Sequence, residues 1–501
     1  MILIMSLLPI FLATFPFLLF VVLLFWGKLK MIWISLISLI FVGAAAGFYW
    51  KIKTDLFIAS VGKGFFVAFD IFFIIFGAIF FLEILKEVKV TENIGFYLES
   101  ISKDIRIQVI LLAWFFENFL EGTAGFGTPA TVVAPLLIGL GINPLNAVIL
   151  SLLGNSTAGV FGAAGAPIKV GFGELAGSQL PFMASVYGLV GILIPVFMLW
   201  LLVKGKEDQK RGFFEMLPFA LWSGLVFAAS SIVTVFLGPE FPSILGSALS
   251  LVIILLSIKT GLFIPKRNSG FISSGRATPE IPLIKTIFPY MVLISLLIVG
   301  KVVLGSSGLS VPLAVKHTFS FFNPGFALIL SGIVTILFYK VSAKIFFSSL
   351  KIALKKSLEP FLVIVFMSSM AQIMVNSAQN VSGMKSMIDF LVIGVRNAFL
   401  PLWTPIIGAF GSFLTGSVTI SNLMFGNFFA VAARELNFNV DKILALAVVG
   451  GAAGNMIALA DILIAEAVVG IKHREKDVIK GVIVPCLICI GLLGLIGLFS
   501  I

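Results

Sequence analysis

Glu117, Glu121, Thr123 and Thr128, interleaved with Gly122, Gly125 and Gly127, occupy the stretch FFENFLEGTAGFGTPATVVAPLL (115–137), which is set in strongly apolar sequence. Side chains of these types can do two kinds of chemistry. A carboxyl can carry a proton, and backbone loosened by glycine can bring free N–H groups against an anion. A second stretch, TGSVTISN (415–422), offers a matching set in Thr415, Gly416, Ser417, Thr419, Ser421 and Asn422. Each stretch is followed by an apolar run with its own polar break. LGNSTAGVFGAAGAP carries Asn155, Ser156 and Thr157, and GGAAGNMIALAD carries Asn455 and Asp461. Ionisable groups are costly in hydrocarbon and invite a functional explanation. Glu121 is the leading candidate for proton coupling or site lining, with Asp461, Asp70 and Glu117 behind it.

The composition identifies the solvent. Hydrophobic residues make up 59% of the 501 residues, charged residues only 11%, and the mean hydropathy is +1.16. So much apolar surface indicates a polytopic membrane protein. The net charge of +11 comes from lysines and arginines clustered in short connections, a topology signal and not a nucleic-acid footprint. Cys486 and Cys489 lie in the last apolar run and suggest neither a disulfide framework nor a metal site. No cofactor is implied. His317 and His473 both fall in expected loops, so an intramembrane proton relay must use carboxylates. The start, MILIMSLLPIFLATFPFLLFVVLLFW, lacks a basic leader and reads as a retained first span. Without HExxH, GxSxG or a cysteine cluster, a membrane enzyme is disfavoured. A passive channel would need no pair of broken helices.

Twelve apolar runs are long enough to span: 3–26, 31–50, 67–85, 143–166, 178–203, 213–237, 241–258, 284–304, 320–339, 357–377, 441–465 and 478–500. Two glycine-broken segments remain, 107–140 and 399–436. Basic residues gather in KGKEDQKR (204–211), between Lys259 and Lys285, between Lys340 and Lys356, and in KHREKDVIK, which places these connections in the cytoplasm. The connections at 238–240, 306–319 and 378–384 face outward. This alternation holds only if both glycine-broken segments enter and leave on one side, as re-entrant hairpins, and it puts both termini outside. FLEG (119–122) and FLTG (413–416) lie 294 residues apart, and the AG pairs at 158–159 and 453–454 lie 295 apart. The expected fold is therefore an all-α polytopic membrane protein of about twelve transmembrane helices plus two re-entrant hairpins in an inverted-topology repeat. The expected divisions are an N-terminal helix pair (1–58), repeat 1 (59–203), a central helical region (204–345) and repeat 2 (346–501). Non-helical backbone at membrane depth must be buried in protein or line a wet cavity. The two tips and two interrupted helices are thus expected to enclose one small midplane site.

FLEGTAGFGTPATVVAPLLIGLGINPL (119–145), QLPFM (179–183), GPEFPSILGSALSL (238–251) and FLTGSVTISNLMFG (413–426) together resemble the bacterial L-lactate permease family, from about residue 60 to near the end. The resemblance implies a proton-coupled symporter of small 2-hydroxy monocarboxylates, chiefly lactate and glycolate, in the bacterial inner membrane. A more distant likeness to the wider ion-transporter superfamily implies elevator motion of a hairpin-bearing domain, and a homodimer by analogy. Two positions depart from the family pattern. Val418 stands where an acidic residue is usual, and Asn455 with MIALAD stands where a lysine followed by MISPQ is usual. Loss of one acid and one base keeps the local charge unchanged. The substrate carboxylate is expected to meet the helix ends and Asn155, Ser156, Thr157, Ser421 and Asn422, with the proton on Glu121. Sodium coupling, or another small organic anion, remains the alternative.

Overall fold

A computed structural model describes residues 2–500 apart from 27–28, 126, 128, 206–207, 266–270, 272–277, 306, 312–314, 316 and 394–398. The expected site residue Thr128 thus lies outside the described residues. Among those described, eleven helices are long and apolar enough to cross a membrane. The twelfth expected span is a helix of only 16 residues, Pro324–Tyr339, about 24 Å long at 1.5 Å per residue. It starts late because Asn323 caps it, accepting from the Gly325 N–H at 2.8 Å, and Pro324 opens its first turn.

Two expectations are corrected. The basic connection from Lys340 to Lys356 is mostly helix, because Ala343–Asn376 forms one 34-residue element whose first turns carry the lysines on an exposed face. The connection at 306–319, expected as a loop, instead holds a short strand pair in an otherwise helical chain. There Gly308–Val311 pairs antiparallel with His317–Ser320, so His317 stands on a strand and not in a loop.

The order of elements recurs along the chain. Thr54–Glu87 and Ala343–Asn376 are both 34 residues long. Each is followed by a short helix, a helix–turn–helix with a glycine turn, and a helix that breaks part-way. The two long helices pack along one another through small residues. A Cβ at Gly64 would collide with the Ser369 backbone, and the Asn376 side chain donates to the Ser60 hydroxyl at 3.1 Å. Glycine also lets each helix–turn–helix cross its following helix closely. A Cβ at Gly154 would fall on the Ala113 carbonyl oxygen, and one at Gly454 on that of Ala409.

Contacts sort the connections into two ends. At one end Ile52 pairs with Asn380, the Val381 N–H donates to the Lys51 carbonyl at 3.2 Å, and Asp441 accepts from the Gly177 and Gln179 N–H groups. At the other, Lys356 meets Glu83 at 2.8 Å and Lys89 meets Glu280 at 3.0 Å. Arg106 is completely buried at this second end. It donates to Asp104 at 2.9 Å and to the Gly212 carbonyl at 2.8 Å, with its guanidinium 4.5 Å from the Phe271 ring. Arg106→Ala is expected to cost about 3 kcal/mol, the low end for breaking a buried ion pair because Asp104 keeps some solvent. A thermal melt of the detergent-solubilised variant measures it.

Candidate functional site

The first tip is the end of the helix Glu117–Thr123 and the turn after it, where Gly125 and Gly127 adopt left-handed φ values of 60° and 70°. Glycine is needed at both. Gly125 leaves its Cβ direction to Ala163, and a Cβ at Gly127 would collide with the Asp461 carboxylate. Glu121 is buried, and its Oε2 has no hydrogen-bond partner among the described residues. Glu117, four residues earlier, is instead satisfied, since the Ser151 hydroxyl donates to its carboxylate at 2.9 Å. Gly122 packs against the backbone of Ser243 and Ile244, and the Thr123 hydroxyl returns to the Leu120 carbonyl at 3.0 Å. These two residues shape the turn and do not line the central cavity described below.

The helix Pro144–Ala158 breaks directly beneath this tip. Ala163, Ala164 and Gly165 are all left-handed, at φ 43°, 51° and 80°. For alanine that conformation stores strain of about 1–3 kcal/mol each, which the surroundings must hold in place. At the start of the break, Asn118 and Ser243 hold Ala158. The Ala158 N–H donates to Asn118 Oδ1 at 3.0 Å, and the Ser243 hydroxyl donates to the Ala158 carbonyl at 2.9 Å. Neither residue emerged from the sequence as a site candidate. The signal for the break itself was the glycine–proline punctuation of GVFGAAGAP within an apolar run.

The second tip joins Leu400–Thr415 to Val418–Glu435 through Gly416, at φ 66°. Ser417 caps the second arm, accepting from the Ile420 N–H at 3.3 Å. Val418 and Thr419, whose N–H groups have no intrahelical partner, face the same cavity as Glu121. Ser421 ties the arms together by donating to the Gly408 carbonyl at 3.0 Å. Asn422 reaches across to the other half and donates to the Pro167 carbonyl at 2.9 Å. Asn422→Ala is expected to lower stability by about 1–3 kcal/mol, the cost of orphaning a buried acceptor. The melting temperature of the solubilised variant reads it.

Both tips and both breaks meet at one small cavity of about 20 Å³, lined by Glu121, Gly125, Gly159, Gly162, Ala163, Pro167, Gly416, Ser417, Val418, Thr419 and Asn455. Asn455 donates to Asp461 at 2.9 Å, and its own Oδ1 has no partner among the described residues. Asp461 is buried beside Gly127 and Gly416, between the two tips. Among the described residues that line it, none is a lysine, arginine or histidine. A lining carboxyl, Glu121, with a second, Asp461, held behind the lining by Asn455, makes a site that attracts protons or metal cations and repels an unaccompanied anion.

Other candidates fall elsewhere. Ser156 and Thr157 line a separate crevice against Gly188 and Gly191, and the Ser156 hydroxyl returns to the Leu153 carbonyl at 2.6 Å. Asn155 is buried with Oδ1 unpartnered, outside the central cavity. Asp70 sits in a larger cavity at the first end of the molecule, 3.1 Å from His317 Nε2. That partner stands 247 positions away, and no local signal announces it.

Among the described residues, eleven apolar helices around paired tips and broken helices mark a multi-pass membrane protein. The family model described as L-lactate permease matches residues 9–304 and 283–501, and the chain belongs to that family. It is 28% identical to the L-lactate permease of Salmonella typhimurium, over 94% of this chain and 91% of that one. It is also 28% identical to a glycolate permease of Escherichia coli, over 97% and 95%, and 30% identical to the L-lactate permease of Streptococcus iniae, over 78% and 84%.

Proposed function

We propose that this protein imports small 2-hydroxy monocarboxylates, L-lactate and glycolate, by proton symport across the bacterial inner membrane. The names of its relatives support the substrate class. The observation that carries the coupling is the central cavity itself, where Glu121 and the Asn455–Asp461 pair meet with no basic lining residue. An anion can enter such a place only when cations accompany it, because like charges at contact distance in a low dielectric cost several kcal/mol. A proton on Glu121, whose Oε2 is unpartnered, cancels the substrate charge and lets the loaded site cross. The helix start at Val418–Thr419 then supplies N–H groups to the substrate carboxylate.

The proposed movement is alternating access of an elevator type. A cavity of about 20 Å³ accommodates little more than a water molecule, so a hydroxy acid enters only when the tips separate. The Asn422–Pro167 bond is the contact that this separation breaks. We assign the chain to a helix pair (1–58), two repeats of opposite insertion (59–203 and 346–501), each with a re-entrant hairpin, and a central region (204–345), assembled as a homodimer. The recurrent order of elements and the end-to-end contacts support that division. Basic residues place the Lys356–Glu83 end in the cytoplasm and the Ile52–Asn380 end outside.

Competition tests the substrate class. Excess unlabelled glycolate is expected to suppress uptake of labelled L-lactate by the purified, reconstituted protein, while a dicarboxylate of similar length leaves it unchanged. Suppression only by unrelated anions contradicts the assignment.

A further inference from the structure

Outside the central site, a cavity of about 420 Å³ opens at the Ile52–Asn380 end of the molecule. Lys63, Asp70 and His317 line one wall, and Lys169 and Glu174 line the other, with the second-tip residue Asn427 beside them. Its charges are arranged unevenly. Lys169 and Lys301 share one buried oxygen, Glu240 Oε1, at 2.7 and 3.2 Å, so two ammonium groups are matched by a single carboxylate. Lys169 is the member of that trio that reaches the cavity. Lys63 has a mostly buried side chain, yet its partner at 3.1 Å is Glu174, which is 71% exposed. A solvated carboxylate is a weak competitor for that ammonium. Asp70 is already engaged by His317 at 3.1 Å.

We propose that this cavity is a second carboxylate-binding site, where Lys63 and Lys169 hold the substrate anion before it passes to the acid-lined central cavity. The assignment rests on the transport reading above and adds what that site lacks, a cationic partner for the anion. Asn422 lies next in the chain to Leu423, and Pro167 two residues before Lys169, both of which line the outer cavity, so the two cavities adjoin where the Asn422–Pro167 bond closes the way. Substrate held here still carries its charge, and it loses that charge only on meeting the proton inside.

The test measures initial uptake of labelled L-lactate against concentration in right-side-out membrane vesicles, at low and at high salt. Lys63→Gln is expected to raise KM about fivefold with kcat within about twofold, since removing a steering charge changes capture and not passage. Glu174→Gln, which releases Lys63 from its competitor, is expected to lower KM. Both differences shrink at high salt. Opposite displacements cannot come from a merely structural role, which would move both variants the same way. Unchanged KM in both variants, or shifts of the same sign, overturns the outer site while leaving transport intact. A wild-type protein that takes up neither L-lactate nor glycolate overturns the transport reading and the outer site with it.

Discussion

Glu121→Gln is expected to cut proton-driven accumulation of L-lactate by at least about tenfold, the equivalent of ~1.4 kcal/mol at the coupled step. Exchange of labelled for unlabelled lactate across the same vesicles is expected to fall far less. The difference follows from what each process asks of the side chain. Accumulation needs the proton to be picked up on one side and released on the other, and glutamine cannot release it. Exchange needs only a site that crosses loaded, and a neutral amide reproduces the protonated carboxyl in shape and charge. Burial of Glu121 at the meeting of both tips, with Oε2 unpartnered, is the reason for choosing it over Glu117, whose carboxylate the Ser151 hydroxyl already occupies. Equal loss of accumulation and exchange would mean that Glu121 holds the first tip in shape.

Gly162→Ala is the second large effect. Gly162 has an ordinary extended backbone, φ −60° and ψ 159°, so alanine brings no conformational strain there. Its Cβ, however, would collide with Glu121 Oε1 inside the central cavity. The carboxyl must then turn out of the position between the tips. Uptake is expected to fall by about tenfold or more, in keeping with displacement of a positioned group by an ångström. The protein is still expected to elute as a folded species on size-exclusion chromatography. Gly159→Ala is the control on the same break. A Cβ there would meet Ala452 and Val418 at 3.4 and 3.6 Å, ordinary contact distances, and near-normal uptake is expected. Equal loss in both variants would indicate that the break tolerates no side chain anywhere, independent of Glu121.

Much of this arrangement was legible in the sequence because bilayer physics leaves strong marks. Apolar length marks a span, and clustered lysines mark a side. Glycines and hydroxyls inside apolar sequence mark backbone that something must shelter. Glu121, Gly125, Gly416 and Asn455, which lie in the marked stretches, line one cavity, while Asn155, Ser156 and Thr157 do not. What escaped them depends on three-dimensional contact. Ser156 and Thr157 share the helix that breaks beneath the first tip, yet helical rotation turns them toward Gly188 and Gly191. Asn118 and Ser243 support the break from separate elements. His317 reads as a loop residue because the strand that carries it has only four residues, and its partner Asp70 lies on another helix. The lysines from Lys344 to Lys356 read as a connection because they interrupt apolar sequence, although a helix that projects beyond the bilayer carries them as well as a loop would.

Asn455 has a consequence for the central cavity. Its amide donates to Asp461, and among the described residues no lining residue is cationic. Under the proposed mechanism, neutralisation of the substrate falls to a co-transported cation, so coupling is the point on which that mechanism stands or fails. The most direct measurement is uptake of labelled L-lactate into proteoliposomes holding the purified protein, first with an inward proton gradient and then with an inward sodium gradient, each without the other. Accumulation above equilibrium under the proton gradient alone is the expected result. Accumulation that requires sodium, or lactate that equilibrates without accumulating under either gradient, contradicts proton symport through Glu121.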